Sequence, residues 1–207
     1  MPIVRETAAM LISDIKSRPV YERLSLDATG RRHLVLSDAP RPLGEVVDGA
    51  AAPLDYWVVA ATSAVDGQPE AAPAHGDALV VEKRAFRAIS HLLDRLSHRL
   101  ARETVGLRLY AVGEEGFIWD VARLARVAGL DAAECRTCHA GSERRRVFCV
   151  HCKTITFDVT TNIVACAGCG AALAVRDHFS RSLAAFMGVQ ADAEAPGELP
   201  QVEEVFP

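Results

Sequence analysis

The sequence predicts an α/β protein that ends in a small β-rich module, on three observations. Short, continuously apolar runs alternate with amphipathic helical stretches through the first two thirds of the chain. Helical periodicity stops near Leu130. Two C-x-x-C pairs, Cys149/Cys152 and Cys166/Cys169, then stand thirteen residues apart with a β-like run between them. The 207 residues leave room for one large domain, or for one medium and one small. Half of them are hydrophobic, so a sizeable core is possible and global disorder is not expected.

Residues 1 to about 24 read as a short helix carrying Ala8, Met10, Leu11 and Ile15 and ended by Pro19. Arg5, Glu6, Asp14 and Lys16 interrupt that stretch, so it lacks the apolar core of a secretion signal. No apolar run of 18 residues follows, and a soluble, cytoplasmic protein with no membrane partner is expected. HLVLSDA (33–39), DYWVVAA (55–61), DALVVE (77–82) and GLRLYAVG (106–113) read as strands. Runs this short and this apolar suit strands buried on both faces, as in parallel sheets.

Over 85–103, Phe86, Ile89, Leu93, Leu96 and Leu100 repeat at helical spacing, with Arg87, Asp94, Arg95 and Arg102 elsewhere on the helix. His91 and His98 fall on its polar side, as exposed residues. In GFIWDVARLARVAGL (116–130), Phe117, Val121, Leu124 and Ala128 form the stripe. Gly129 suits the left-handed C′ position there, and Leu130 the closing contact. Strand alternating with helix gives a mostly parallel sheet over 30–133, in an N-terminal domain assigned to 1–140.

The next segment, 141–190, reads as a four-cysteine module with a C-terminal helix over 178–188, Asp177 at its N-cap and Gly188 beyond its end. A C-x-x-C turn lets two thiolates face one ion, and two such turns supply the closed tetrahedron of structural zinc. Cys149, Cys152, Cys166 and Cys169 are therefore read as one metal site. Ile155, Phe157 and Val159 alternate with Thr154, Thr156, Asp158 and Thr160 as a half-buried strand, Thr161-Asn162 turns the chain, and Ile163-Val164 returns it. Zinc is the default ion, with iron the alternative, since four thiolates also suit a single iron. His151, inside the first knuckle, finds no vacancy in a set of four cysteines. Cys135 and Cys138 in ECRTCHAG follow a helix and read as loop thiols rather than a redox dithiol. ERRR (143–146) reads as a solvated linker. After Arg181 there is no Lys or Arg, and 191–207 forms an acidic tail expected to be mobile unless it docks on a partner.

A net charge of −4 argues against a general nucleic-acid binder, and the clip's hairpin offers only Lys153 and Phe157 for such a role. Four functions compete: an assembly or regulatory subunit, an iron-bearing electron carrier, a zinc-ribbon nucleic-acid binder, which ranks third, and a free-standing reductase, which ranks last for want of a glycine-rich turn. No residue stands out as catalytic.

YAVGEEGFIWDVARLARVAGL resembles the last strand–turn–helix of the pyridine-nucleotide domain of ferredoxin-reductase-like flavoproteins. That family reads C-G-P-x-x-(Phe/Met) there, where this chain has Val112, Gly113 and Glu114, so the thiol beside the nicotinamide is missing. The first strand leads into HLVLSDAPRPLG, with two prolines and no close glycine pair, and Asp38 near that mouth would repel phosphate. The resemblance implies a Rossmann-like sheet domain without a nucleotide site, followed by a zinc-ribbon or rubredoxin-like module.

RRVFCVHCKTITFDVTTNIVACAGCGAALAVRDHFSRSLAAFMGV (145–189) resembles the C-terminal module of the DmmA-type subunit of bacterial dimethylamine monooxygenase. C-V-H-C, D-V-T-T-N, C-x-G-C-G and V-R-D-H-F-S-R carry the likeness, and KSRPVYERL fits the same family. The resemblance implies a non-catalytic subunit of a multi-component, NAD(P)H-dependent system that demethylates dimethylamine to methylamine and formaldehyde. Haem would belong to a demethylase partner, and FMN and iron–sulfur to a reductase partner. Arg176, Asp177, His178 and Arg181, just after the clip, are then candidates for a docking face.

Overall fold

A computed structural model describes residues 17–48, 52–60 and 80–207. Of the helix expected over the first 24 residues, 1–16 lie outside the described residues and 17–23 are not helical. The start of the run at 77–82 also lies outside them. Two compact units form, one of residues 21–144, the other of residues 145–207 together with the described residues 17–20.

The first unit is a five-stranded, wholly parallel sheet in the order β5-β4-β2-β6-β7. Its strands are β2 (Arg32–Ser37), β4 (Leu54–Val59), β5 (Val80–Phe86), β6 (Leu107–Gly113) and β7 (Cys135–His139). Crossovers run through α2 (Ile89–Leu100) and α3 (Glu115–Val127), which pack on each other. The opposite face is covered by β1 (Leu24–Ser25), α1 (Leu43–Val46) and β3 (Val47–Asp48), with β1 and β3 pairing as a small parallel ribbon. Burial on both faces is why the inner strands β2, β4 and β6 carry apolar runs, which the edge strands β5 and β7 do not. Val35, Tyr56 and Tyr110 turn to the ribbon side, while Leu34, Leu36 and Leu109 occupy the alternate positions and are fully buried.

α2 buries Leu92, Leu96 and Leu100, a strict i, i+4 row, each residue contributing about 1.5–3 kcal/mol. Of the stripe assigned from sequence, Phe86 ends β5 instead, Leu93 is half-buried, and Ile89, the first residue of the helix, is 40% exposed. α3 buries Phe117, Ile118, Val121 and Ala125, and Ala128 is exposed at its C-cap. Gly129 does take the left-handed conformation, and its N–H and that of Leu130 reach back to Arg126 and Ala125, closing the helix.

The second unit is a mixed sheet in the order β10-β11-β12-β8-β9. Its strands are β8 (Arg145–Cys149), β9 (Ile155–Val159), β10 (Ile163–Ala165), β11 (Ala172–Ser180) and β12 (Ala185–Gln190). Here three expectations are corrected. The 178–188 helix does not form: β11 continues to Ser180, Ala184 turns with a φ of 51°, and β12 lies centrally between β11 and β8. A helix of eleven residues is marginal alone, whereas the strand places Ala185, Phe186 and Gly188 in a core. Asp177 is consequently a strand residue and not an N-cap. The ERRR run is not a solvated linker throughout, because Arg145 begins β8 and is only 6% exposed.

The acidic tail is fastened at its far end. Val205 and Phe206 donate to the Thr160 carbonyl, and Asn162 exchanges hydrogen bonds with Gln201 and Glu203. Residue 17 joins this unit by pairing with β11: Ser17 N donates to Asp177 O at 2.8 Å and Phe179 N to Ser17 O at 3.0 Å.

Candidate metal centre

Two hairpins supply the four cysteines. Cys149 ends β8 and Cys166 follows β10, so each C-x-x-C turn links antiparallel partners, β8 with β9 and β10 with β11. In each knuckle the residue after the second cysteine is left-handed, Lys153 at φ 67° and Gly170 at φ 74°. Lys153 N donates to Cys149 O and Gly170 N to Cys166 O, and the hairpins close through Cys149 N to Thr154 O and Cys166 N to Ala171 O. Thr156 Oγ1 of the first hairpin accepts from Ala167 N of the second knuckle at 3.1 Å. Gly168 lies so close to Thr154 that a Cβ there would come within 2.3 Å of the threonine oxygen.

The four Sγ atoms lie within 4.8 Å of one another, with Cys152 and Cys166 at 3.5 Å and Cys149 and Cys169 at 3.9 Å. A tetrahedron with metal–sulfur bonds of about 2.3 Å has sulfurs about 3.8 Å apart, so the set fits one tetrahedral ion. The Thr154 hydroxyl and amide bring the Cys152 thiol down to about 6, and the amides of Cys169 and Gly168 lower Cys166. Cys169 is pushed up to about 11: the Ala171 amide favours its thiolate, but burial and three neighbouring sulfurs outweigh it. The turn thus directs N–H groups at sulfur, as a thiolate cage requires. Cys149 and Cys166 are buried while Cys169 is exposed. His151 is exposed and contributes no atom to the set.

Cys135 and Cys138 lie on β7, not in a loop, and three residues apart on a strand means opposite faces. Cys138 packs on the ribbon-side core, and burial pushes Cys135 up to about 12. They form neither a dithiol nor half of a second site.

Of the four docking candidates, Asp177 is engaged within its own unit. It pairs with Arg18 at 2.5 Å and with Arg145 at 2.8 Å. The Arg145 guanidinium lies between the rings of Phe186 and Phe206, 3.8 and 3.7 Å from their centroids. Sequence reasoning missed this cluster, whose members are spread from Arg18 to Phe206. His178 and Arg181 are exposed and Arg176 is half-buried.

In a sheet of this order, the crevice between β2 and β6 is where the chain reverses direction and where ligands of such folds sit. Asp38 fills it. One carboxylate oxygen accepts from Glu114 N at the start of α3, at 2.6 Å. The other accepts from Arg41 at 2.6 Å, and Arg41 also bonds Ser37 Oγ and the Ala140 carbonyl. Gly113 allows the approach, since a Cβ there would stand 2.3 Å from the carboxylate. The helix N-terminus that would receive a phosphate is thus capped by a resident anion.

Residues 13–135 match the family model for the N-terminal domain of dimethylamine monooxygenase subunit DmmA-like proteins, and residues 146–189 match the model for their C-terminal domain. Over 111 residues the chain is 42% identical to the heme-dependent oxidative N-demethylase delta subunit of Ectopseudomonas mendocina (strain ymp). That alignment covers 54% of this chain and 63% of the relative, so the chain spans less than two thirds of it. No solved structure matches. Among the described residues no helix is long and apolar enough to cross a membrane.

Proposed function

The chain belongs to the dimethylamine monooxygenase subunit DmmA-like family, and from that premise we propose that it is a non-catalytic assembly or regulatory subunit of an oxidative demethylase. The substrate of the system is dimethylamine, demethylated at the expense of NAD(P)H to methylamine and formaldehyde. Haem belongs to the demethylase partner, and FMN and iron–sulfur to the reductase partner. The similarity to a delta subunit of a heme-dependent N-demethylase supports a multi-subunit setting.

The observation that carries the non-catalytic reading is that both places suited to chemistry are occupied from within. Asp38 takes the Glu114 amide at the α3 N-terminus and sets a negative charge at the crevice, which opposes a phosphate there. Cys149, Cys152, Cys166 and Cys169 supply the four donors of a closed tetrahedral site, with no fifth donor among the described residues. Zinc held by these four sulfurs would tie the two hairpins together and supply much of the folding energy of a unit with so small a core. The α/β unit, residues 21–144, and the four-cysteine module then act as scaffold.

The test is reconstitution. Demethylation by the remaining components is measured with and without this chain, and nicotinamide-nucleotide binding to the isolated chain is titrated. The reading expects assembly or rate to depend on the chain while the chain binds no nucleotide. Nucleotide binding, or turnover by the chain alone, would refute it. A rubredoxin-like electron relay is the second reading, favoured by the exposure of Cys169, which would give one sulfur of an iron site access to a partner.

A further inference from the structure

We propose that a basic cleft on the α2 face of the parallel sheet receives a carboxylate-rich segment of a partner protein, an inference that rests on the chain being a subunit of a larger assembly. The cleft has a volume of about 240 Å³ and is lined by five arginines, Arg32, Arg84, Arg95, Arg99 and Arg102, together with His98. It follows directly from the α2 sequence. With Leu92, Leu96 and Leu100 turned inward, positions 95, 98, 99 and 102 share one flank. The floor comes from β4 and β5, where Trp57 and Arg84 are register partners.

Three carboxylates fix part of this array. Asp55 holds Arg99 at 2.7 Å, Glu82 holds Arg84 at 2.5 Å, and Glu103 holds Arg32 at 2.5 Å. Five arginines less three carboxylates leave a net charge of two, and it resides on Arg95 and Arg102. Both are exposed, and neither has an ionic partner among the described residues. This local surplus stands in a chain whose net charge is −4.

The geometry selects the occupant. Arg95 lies on α2 and Arg102 in the turn just past its end, both lining the cleft, on the order of 10 Å apart. Carboxylates two or four residues apart on an extended segment share one face, about 7 or 13 Å apart, which brackets that separation. Guanidinium forks bind carboxylates in two-point fashion, and Arg84 and Arg99 are already positioned against the Trp57 ring, at 5.6 and 5.2 Å. A nucleotide is a poor match. Trp57 is only 2% exposed and offers no face for a base, and the cleft is smaller than the ~300–1,000 Å³ of small-molecule sites.

The experiment is fluorescence anisotropy of labelled hexaglutamate with the full chain, at low and high salt. The wild type is compared with Arg95→Glu/Arg102→Glu, the milder Arg95→Gln/Arg102→Gln, and Arg87→Glu as an exposed control outside the cleft. The expected result is salt-sensitive binding that weakens about tenfold or more in the double glutamate variant, and less in the glutamine pair. Arg87→Glu should bind as the wild type does. Three outcomes would overturn the proposal: equal binding by all variants, displacement by inorganic phosphate at the affinity of the peptide, or arginine-dependent self-association. Failure here leaves the subunit reading standing if the chain still supports demethylation. A chain that binds the peptide but is dispensable for demethylation would sink that reading instead.

Discussion

Gly113 and Lys153 are two residues where backbone conformation is constrained by what lies beside it. Gly113 has φ 153° and faces the Asp38 carboxylate, so Gly113→Ala should destabilise the α/β unit by about 2–4 kcal/mol in chemical denaturation. Lys153 occupies the left-handed position that its counterpart Gly170 takes without cost. Lys153→Gly should therefore stabilise the metal module by about 0.5–1 kcal/mol, read as a rise in melting temperature with the metal site loaded. Asp27 and His33 set a pH dependence for the α/β unit. Burial lowers His33, so the unfolded chain takes that proton first and stability declines as pH falls below about 6.5. The Arg108 guanidinium holds Asp27 well below its ordinary 3.8, and that contribution, complete above 3.8, is lost as pH falls further. Urea melts from pH 7 down to about 2 should show both declines, beginning near those two values. The four cysteines were legible because C-x-x-C spacing encodes ligand geometry within a few residues. Asp38 was legible as a carboxylate hostile to phosphate, but not as the partner of Glu114 N, because 76 residues separate them.

At the scale of elements, β2, β4, β6 and the two crossover helices were readable from their own apolar patterns, while β5 was placed only in part and its last residue was read as helix. β7 and β12 were not. β7 holds CRTCH, without an apolar run, and exists because β6 offers it an edge. β12 reads locally as helix and becomes a strand only between β11 and β8. The same holds for the tail, whose acidity suggested mobility while one aromatic, Phe206, decides its position. Phe206 is 7% exposed and stacks on Arg145. Phe206→Ala should cost the second unit about 2–4 kcal/mol and free residues 201–207 for hydrogen exchange. An unchanged exchange rate would mean that the backbone bonds to Thr160 and Asn162 suffice.

As a whole, the proposed scaffold has two units, one with a carboxylate at a helix N-terminus and the other with four clustered cysteines. Cys166→Ser should unfold the four-cysteine module and abolish partner binding, while the parallel sheet of the other unit remains folded by far-UV circular dichroism. Normal assembly by that variant would count against a structural clip. Elemental analysis and a visible spectrum of protein purified without added metal separate a structural clip from a redox centre. A structural clip should give one zinc per chain and a colourless protein. One iron per chain with a red, reducible chromophore would contradict it, and would make the cluster from Cys149 to Cys169 a redox centre.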